Sequence, residues 1–416
     1  MHFPAKGWKT RLVVCLRKSQ FSPKIMFAKP FQITLLIALA TILNLGCQSP
    51  AAKVDADGFR SLFNGRNLDG WANVNCAPET WSVTNGLIHC TGKPIGALRT
   101  ERQYENFIME LDWRHLRNGG NAGIFIWSSP ISWPGVPFLR AIEVQVLENG
   151  YGKSDWYTTH GDVFPIHGST MEPFGRHNGT RSFPSEERSK PTPEWNHYRI
   201  VATNGVLRLS VNGREVSGGS NCNWRKGYIG LESEGSPVEF RNIRIMELPS
   251  TEIAPELAAP EEIDWKALYN GVDLRGWESD NLSEWQSNDW RLLLKPAGET
   301  NAPLLSSKSY RDFELIVDFK APDKLPTSGV LGGIVFDGKT IVSFGASEAP
   351  LPIDMDKLKA KAWHRVRLVR DFERYSVYMN NEFIGKTTLD LSRRAPVGLA
   401  NFGRQLEYAN VYIRDL

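Results

Sequence analysis

The sequence reads Phe63-Asn-Gly-Arg-Asn-Leu-Asp-Gly-Trp71 in its first half and Tyr269-Asn-Gly-Val-Asp-Leu-Arg-Gly-Trp277 in its second half. The patterns after these two phrases stay in register, and both include a tryptophan that opens a strand-like run, Trp195 and Trp363. The phrases stand roughly two hundred residues apart, far too long for a solenoid repeat, which indicates two copies of one domain. Residues shared by the copies are expected to serve the fold, and polar groups present in only one copy are candidates for chemistry.

Short strand-like segments dominate both copies. Runs such as Phe107–Trp113, Ile142–Leu147 and Val206–Val211 are rich in β-branched and aromatic residues, and they alternate between apolar and polar positions. Asn204-Gly205 and Asn212-Gly213 are typical of tight hairpin turns. Because no stretch has a sustained helical period, the sequence predicts an all-β protein with two β-sandwich domains in tandem.

The composition along the chain suggests four segments. Residues 1–47 are a targeting segment, and residues 58–248 are the first sandwich. A stretch rich in proline and alanine, residues 249–261, is the linker, and residues 262–416 are the second sandwich. Each copy is long enough to bury a hydrophobic core of its own.

The N-terminal segment has the pattern of an export signal. Residues 1–46 carry seven Lys or Arg and no acidic residue, and the apolar run Phe31–Leu43 precedes Gly46-Cys47. A small residue followed by cysteine resembles a bacterial lipoprotein processing site, at which Cys47 becomes lipidated. Ordinary signal cleavage or an uncleaved anchor is the alternative. We therefore expect a periplasmic or cell-surface protein, attached to a membrane through its N-terminus.

Charge gives no support to nucleic-acid binding. The whole chain has a formal net charge of +3, which becomes −4 once the seven positive charges of residues 1–46 are set aside. A protein that binds phosphate backbones needs an excess of Lys and Arg in its folded part. We therefore expect no nucleic-acid partner.

Export also bears on the cysteines. Secreted proteins fold in an oxidising compartment where disulfides persist. Cys76 and Cys90 flank a segment with Asn85-Gly86 as its hairpin turn. We predict a disulfide between them.

A series of motifs in the first copy points to a known family. The motifs are, in order, Phe63–Trp71, Asn121-Ala-Gly-Ile-Phe125, Glu143-Val-Gln-Val-Leu147, Glu194-Trp-Asn196, Gly230-Leu-Glu-Ser-Glu-Gly235 and Phe240-Arg-Asn-Ile-Arg244. They resemble the 3-keto-disaccharide hydrolase family, long known only as a domain of unknown function. The resemblance is dense over residues 58–248 and diluted over residues 262–416. It implies a concanavalin A-like jelly roll in each copy, a carbohydrate substrate, and a binding surface on the concave face of one sheet.

Glu143 is the first candidate for a catalytic residue. Strand alternation places Glu143 and Gln145 on one face, and Ile142, Val144 and Val146 on the other. A carboxylate beside an amide suits the hydroxyl groups of a sugar, although an ordinary solvated face has the same pattern. The corresponding region of the second copy, Thr340–Phe344, carries no acidic residue.

A long loop that has no counterpart in the second copy carries the other catalytic candidates. His160, Asp162 and His167 lie within residues 151–168. They could supply a general base, the carboxylate that orients it, and an acid. The same residues could bind a divalent cation, although their spacing matches no established ligand motif. A polar surface loop that serves no chemistry is the third interpretation.

Further polar and aromatic residues are candidates for contacts with the substrate. Glu110 and Arg114 share one face of a strand, and the second copy has Ile316 at the position of Glu110. Aromatic rings in loops can stack on the faces of pyranose sugars, whereas most tryptophans pack in cores. The full set of substrate-binding candidates is Gln145, Glu110, Arg114, Asn121, Trp133, Trp156, Tyr157 and Glu232.

The family resemblance leads to a hypothesis for the mechanism. In a 3-keto-glycoside the ketone acidifies the proton on C2, so that a base can remove it, the C1 substituent leaves by β-elimination, and water adds to the enone. Glu143 or His160 would be the base, with Asp162, His167 and Gln145 as orienting or charge-stabilising groups.

Three alternatives stay open at the level of sequence. A glycosidase with two carboxylates, Glu143 and Glu110, would cleave unoxidised disaccharides. A non-catalytic, lectin-like surface lipoprotein would use the same fold to bind carbohydrate without turnover. The second copy, which lacks the loop of residues 151–168, could also be a docking module.

Overall fold

The computed structural model describes residues 54–262, 264–294, 302–402 and 406–416. Cys47, where we expect lipidation, and the rest of the targeting segment lie outside these ranges. Within them, no helix has the length and apolar character needed to cross a membrane. The helical elements of the described residues are single 3-10 turns, at Pro78–Thr80, Asn149–Tyr151, Pro255–Leu257, Leu282–Glu284 and Met355–Lys357.

The first sandwich contains strands β1 to β17. Their bounds are β1 Arg60–Ser61, β2 Trp71–Val74, β3 Trp81–Thr84, β4 Leu87–Cys90, β5 Gly96–Thr100, β6 Phe107–His115, β7 Asn121–Ser128, β8 Ala141–Leu147, β9 Val163–Ile166, β10 Thr170–Pro173, β11 His177–Asn178, β12 Arg181–Ser182, β13 Asn196–Thr203, β14 Val206–Val211, β15 Arg214–Asn223, β16 Tyr228–Ser233 and β17 Val238–Glu247. Sheet A has the order β10-β15-β14-β13-β6-β17-β4-β3, with β1 paired to β17. Sheet B has the order β11-β12-β9-β8-β7-β16-β5-β2.

The second sandwich contains strands β18 to β31. Their bounds are β18 Lys266–Ala267, β19 Trp277–Glu278, β20 Trp285–Asn288, β21 Arg291–Leu294, β22 Leu304–Tyr310, β23 Phe313–Lys320, β24 Val330–Phe336, β25 Lys339–Gly345, β26 Leu351–Ile353, β27 Trp363–Asp371, β28 Arg374–Met379, β29 Glu382–Thr388, β30 Ala395–Asn401 and β31 Glu407–Asp415. Sheet C has the order β20-β21-β31-β23-β27-β28-β29, with β18 paired to β31. Sheet D has the order β19-β22-β30-β24-β25-β26. The predicted all-β fold with two sandwiches in tandem is confirmed.

Each sandwich buries the apolar sides of its two sheets against each other. In the first sandwich, Tyr198 and Ile200 of sheet A share one core with Ile142, Val144 and Val146 of sheet B. Burial of one such side chain stabilises the fold by about 1.5–3 kcal/mol. Alternation along these strands leaves the polar residues of each sheet on the faces that point away from the core.

The predicted turns form because their residues tolerate a left-handed backbone. Asn204 and Gly205 have φ angles of 51° and 74°, and Asn212 and Gly213 have φ angles of 48° and 85°. Two successive positive φ values define the hairpin turn whose twist matches the flanking strands. Asparagine accepts this conformation at a lower cost than other residues with a side chain.

The repeated phrase builds the same local structure in both copies. The side-chain oxygen of Asn64 accepts hydrogen bonds from the backbone amides of Arg66 and Asn67, at 2.8 and 2.9 Å. The side-chain oxygen of Asn270 does the same for Val272 and Asp273, at 2.9 and 3.0 Å. These asparagine-centred turns lead in both copies to a tryptophan that is buried in the core.

The predicted disulfide is not formed. Cys76 and Cys90 are both free and buried. The sulfur of Cys90 accepts a hydrogen bond from the amide of Gly92 at 3.3 Å, and the sulfur of Cys76 lies 4.0 Å from the carbonyl oxygen of Pro94. Burial raises the pKa of the Cys90 thiol to about 11, which disfavours the thiolate needed for oxidation.

The two sandwiches contact each other through residues 129–140 of the first and sheet C of the second. The amide of Gly135 donates a hydrogen bond to Asp318 at 2.8 Å, and the guanidinium of Arg365 donates to the carbonyl of Ser132 at 2.8 Å. Ile316 and Tyr412 of sheet C join an apolar cluster with residues of the first sandwich. The segment 129–140 is thus held from both sides.

Candidate active site on sheet B

Polar residues of sheet B converge on a cavity on the side of the sheet that points away from the core. The cavity has a volume of about 220 Å³. Strands β7, β8, β9, β12 and β16 position most of its walls, which are formed by Asn121, Phe138, Glu143, Gln145, Phe164, Ile166, His167, Arg181, Glu232 and Glu234.

Glu143 and Gln145 reach the cavity because they alternate with core residues along β8. Ile142, Val144 and Val146 pack in the core, as the sequence pattern indicates. Gln145 donates a hydrogen bond to the side-chain oxygen of Asn121 at 2.9 Å, which fixes its amide at the edge of the cavity.

Gly123 allows two carboxylates to approach each other. Along β7 its neighbour Ile124 pairs with Leu231, so Gly123 lies beside Glu232, while its other partner is Gln145. A Cβ atom at position 123 would lie 2.8 Å from Oε2 of Glu232 and 2.9 Å from Oε1 of Glu143. The absence of a side chain leaves room for both carboxyl groups.

The three carboxyl groups of the cavity hold protons more tightly than usual. Burial, together with the charge of Glu234, raises the pKa of Glu143 to about 8. Burial raises the pKa of Glu234 to about 7, against hydrogen bonds from Glu232 and Asn121 that lower it. Burial and the charge of Glu143 raise the pKa of Glu232 well above its usual range. Like charges in a desolvated site cannot all ionise, so the cluster exchanges protons near neutral pH.

Glu232 has an oxygen without a partner. Within the described residues, Oε2 of Glu232 is buried and accepts no hydrogen bond. A buried polar atom of this kind costs about 1–3 kcal/mol. Glu232 lines the cavity, so this unpaired oxygen belongs to a residue that a ligand would meet there.

Arg181 supplies the positive charge of the site. Its guanidinium lies 3.4 Å from the centre of the Phe164 ring and donates a hydrogen bond to Oε1 of Gln145 at 3.3 Å. It also pairs with Asp162 at 3.1 Å. Asp162 is completely buried and accepts a hydrogen bond from the amide of Thr158 at 2.8 Å. Asp162 therefore does not line the cavity, and it orients Arg181 instead of a histidine.

The two histidines of the loop are separated. His167 lines the cavity, where its ring stacks on Phe138 at 5.6 Å, and burial lowers its pKa, which favours the neutral ring. His160 lines a different depression, of about 710 Å³. Its Nδ1 lies 2.7 Å from the hydroxyl of Ser189, and its Nε2 lies 3.6 Å from Glu187. The structure therefore does not bring His160, Asp162 and His167 together in one cavity.

Glu110 and Arg114 belong to another face of the molecule. They lie on the side of sheet A that points away from the core, where Glu110 accepts hydrogen bonds from Arg199 and Arg244 at 2.6 and 2.7 Å. Arg114 pairs with Glu239 at 2.6 Å. Sheet A and sheet B enclose the core between them, so Glu110 cannot act together with Glu143. The two-carboxylate alternative with these residues is excluded by this placement.

The aromatic candidates lie outside the cavity wall. Trp156 is 72% exposed, and Tyr157 packs its ring edge-on against Tyr151 at 5.6 Å. Trp133 is 37% exposed and its ring packs beside Gly168, next to His167. Of the three, Trp133 is the one that borders the site.

Several residues of the cavity did not emerge from the sequence as candidates. Phe138 and Phe164 carry no polar signal, and Arg181 stands in a stretch rich in charges that is typical of a salt-bridged loop. Arg181 meets Gln145 only because β12 joins sheet B through β9, which no local pattern records. Glu234, by contrast, stands two residues after Glu232 in the Gly230–Gly235 motif, which marks both as candidates for one cavity, and both line it.

A metal centre has no support in this geometry. In the described parts of the chain, no group of three or more His, Cys, Asp or Glu side chains is placed to hold a metal ion. The divalent cation considered from the spacing of the loop residues thus finds no ready set of ligands there.

The first sandwich is similar in sequence to known proteins. Residues 58–246 match the family model of the 3-keto-alpha-glucoside-1,2-lyase-like domain. A 3-keto-disaccharide hydrolase of Bacteroides thetaiotaomicron is 23% identical over 243 residues, which are 46% of this chain and 79% of that protein.

Similar solved structures each cover about one half of the chain. A protein of Parabacteroides distasonis is 21% identical, with a TM-score of 0.37, over 47% of this chain and 95% of that one. The carbohydrate binding module CBM66 from Bacillus subtilis is 16% identical, with a TM-score of 0.31, over 42% of this chain and 94% of that one.

Proposed function

We propose that this protein, whose first sandwich belongs to the 3-keto-alpha-glucoside-1,2-lyase-like family, is a hydrolase that cleaves 3-keto-glycosides in the cavity on sheet B. The observation that carries the proposal is the cluster of Glu143, Glu232 and Glu234 beside Arg181. Carboxyl groups whose pKa values lie near neutrality can act as bases and acids in the same site.

The chemistry begins with removal of the C2 proton of the substrate. Ionised Glu143 takes this proton, and the electron pair of the C–H bond moves onto the 3-keto oxygen as an enolate. Since its pKa is raised to about 8, Glu143 is a stronger base than an ordinary carboxylate. The guanidinium of Arg181 stabilises the developing negative charge in a desolvated site.

The second step breaks the bond between C1 and the glycosidic oxygen. The enolate collapses to form the C1–C2 double bond, and the leaving oxygen takes a proton from a protonated carboxyl group. Glu232 suits this role, because its pKa is raised well above the usual range and its Oε2 has no partner within the described residues. Water then adds its hydroxyl to C1 and a proton to C2, which gives net hydrolysis.

The test incubates the full protein with a 3-keto-glucoside and with the corresponding unoxidised disaccharide. The Glu143→Gln variant keeps the size of the side chain and removes the base, so we expect turnover of the 3-keto sugar to fall by about 10²–10⁴-fold. Ser343→Ala, in the second sandwich, is the matched control and should leave turnover unchanged. Unchanged turnover in Glu143→Gln would contradict the assignment of the base.

A non-catalytic, lectin-like protein would bind sugars without turnover. The high exposure of Trp156 is the observation that favours a lectin-like surface, since exposed aromatic rings stack on sugars. In that case the protein would bind glycans and turn over neither substrate, and Trp156→Ala would weaken the binding.

We also propose that the protein is exported and lipidated on Cys47. The basic segment, the apolar run Phe31–Leu43 and the Gly46-Cys47 pair support this proposal. Growth of an expressing bacterium with a labelled fatty acid tests it, because the Cys47→Ser variant should lose the label. Equal labelling of both proteins would overturn it.

A further inference from the structure

A second cavity lies where the two sandwiches meet. It has a volume of about 570 Å³, within the range of small-molecule binding sites. The first sandwich contributes Trp133, Arg140 and Trp224, and the second contributes Tyr378 and Asn381. This interface cavity is separate from the carboxylate cavity on sheet B.

Arg140 is the unusual group of the interface cavity. Its guanidinium stacks on the Trp224 ring at 3.8 Å, and its Nε atom is buried without a hydrogen-bond partner in the part of the chain that the structure describes. The other charged groups of the cavity are engaged. Arg365 pairs with Asp318, Arg367 pairs with Glu314, and Glu262 accepts a hydrogen bond from Trp265.

From this arrangement we propose that the interface cavity binds the carboxylate of an acidic sugar, a uronic-acid unit, through Arg140. A planar guanidinium matches a carboxylate with two parallel hydrogen bonds. The ring of Trp133, which is 37% exposed, offers a face on which a pyranose can stack, and the amide of Asn381 can bond to hydroxyl groups. Stacked on Trp224, Arg140 is already oriented and loses little side-chain freedom on binding.

The position of the cavity relates it to the function proposed above, on which this inference rests. Residues 129–140 separate the two cavities, since Phe138 lines the carboxylate cavity and Trp133 lines the interface cavity. Trp133 also packs beside Gly168, the neighbour of His167. A glycan with its oxidised end over Glu143 would have to cross this segment to place a later unit at Arg140, and in that case the protein would select glycans that carry a uronic acid there.

Calorimetric titration of the full protein tests the inference. The probes are a short oligogalacturonate, a neutral oligogalactoside of the same length, and an oligogalactoside carrying sulfate instead of carboxylate. We expect saturable binding of the oligogalacturonate and at least about tenfold weaker binding in Arg140→Gln, as loss of a charge-assisted pair implies. Arg66→Gln, which removes an exposed arginine elsewhere, is the control and should bind as the unchanged protein does.

Two further tests distinguish loss of binding from loss of folding, and this inference from the catalytic proposal. Arg140→Lys keeps the charge without the planar fork, so it should bind with intermediate affinity, and it serves as the test if Arg140→Gln unfolds early. Saturable binding of oligogalacturonate that depends on Arg140, in a protein that does not turn over the 3-keto-glucoside, would support this inference and contradict the catalytic proposal, which keeps the two distinct. Equal affinity in Arg140→Gln, no saturable binding, or a preference for the sulfated probe would overturn the inference.

Discussion

The two sandwiches present the same strand pairing with different side chains. In sheet B, Gly123 pairs with Gln145 and stands beside Glu232. In sheet D, Gly333 pairs with Ser343 and Ala400. The backbone positions correspond, yet the second sandwich has a small hydroxyl and a methyl group where the first has an amide and a carboxyl group.

The corresponding region of the second sandwich has no cluster of three carboxyl groups among its described residues. The cavity that includes Ser343, of about 540 Å³, has Lys339, Glu348 and Asp390 as scattered charges in place of an acidic cluster. The comparison teaches that the same sheet positions can carry different side chains, so the role proposed for the first cavity depends on its three carboxyl groups and one arginine and not on the fold alone.

The largest expected effect comes from making the first sandwich resemble the second. Glu232→Ala should lower turnover of a 3-keto-glucoside by about 10²–10⁴-fold, since it removes the proton donor. The same change removes a buried oxygen without a partner, so the melting temperature should stay the same or rise. Kinetics and thermal unfolding on one preparation measure both. A lowered melting temperature with normal turnover would mean that Glu232 serves the fold.

Arg181 belongs to the charged site of the first sandwich. Its removal should lower both the stability of the protein and its turnover. In Arg181→Gln the buried Asp162 loses its cationic partner, and the free energy of unfolding should fall by about 3 kcal/mol. Turnover should fall as well, because the enolate loses its stabilising charge. Urea unfolding measures the stability. The control is Arg208→Gln, which removes an exposed ion pair with Glu215 and should cost about 0.2–1 kcal/mol.

The stability of the first sandwich should depend on pH through Glu143, whose region in the second sandwich, Thr340–Phe344, carries no acidic residue. The folded state holds a proton on Glu143 up to a pKa of about 8, whereas the unfolded chain releases it near its ordinary value of 4.5. The unfolded state therefore binds fewer protons between these values, and the contribution of Glu143 to stability falls as pH rises from about 4.5 to 8.

Comparison with Glu143→Gln isolates this contribution. Urea unfolding at several pH values should show that the variant gains stability relative to the unchanged protein as pH increases across that window. A constant difference between the two proteins would mean that Glu143 is ionised in the folded state at all these pH values.

The smallest effect is expected for Trp156, although it stands in the loop that has no counterpart in the second copy. Its side chain is 72% exposed and lines neither of the two cavities discussed for sugars. Trp156→Ala should change the free energy of unfolding by less than about 0.5 kcal/mol and leave turnover unchanged. A large loss of turnover would show that the loop closes over the substrate.

Most of the fold could be predicted because its signals are local. Alternation along β8 assigned Ile142 to the core and Glu143 to the opposite face, and the Asn-Gly pairs marked the hairpins. Both signals depend only on the residues next to one another in the chain. The same locality explains why the sequence places Glu143 and Gln145 on the face away from the core.

The errors came from contacts between distant residues. Glu110 looked specific to the first copy because Ile316 stands at its aligned position, yet Ile316 packs in the contact with the first sandwich. Two residues earlier, Glu314 accepts hydrogen bonds from Arg367 and Arg414 and does in the second copy what Glu110 does in the first. An alignment compares residues at equivalent positions. In the second copy the acidic residue of the ion pair stands two positions earlier, on the same face of the strand, so the alignment does not show the equivalence.

The prediction that the polar residues of segment 151–168 act together did not anticipate the path of the backbone. The histidines of this segment are close in sequence, but the loop turns at Gly161, whose φ angle is 101°, and at His167, whose φ angle is 49°. These turns direct His160 and His167 into different cavities. No pattern of residue types reports the direction in which a loop turns.

Gly135 lets the first sandwich pack closely on the second. A Cβ atom at this position would lie 2.1 Å from the Trp363 ring, so residues 129–140 can seat on the second sandwich only through a glycine. The same segment presents Phe138 to the carboxylate cavity. Trp363, in β27, thus supports through Gly135 a segment that lines the cavity beside β8 in the other sandwich.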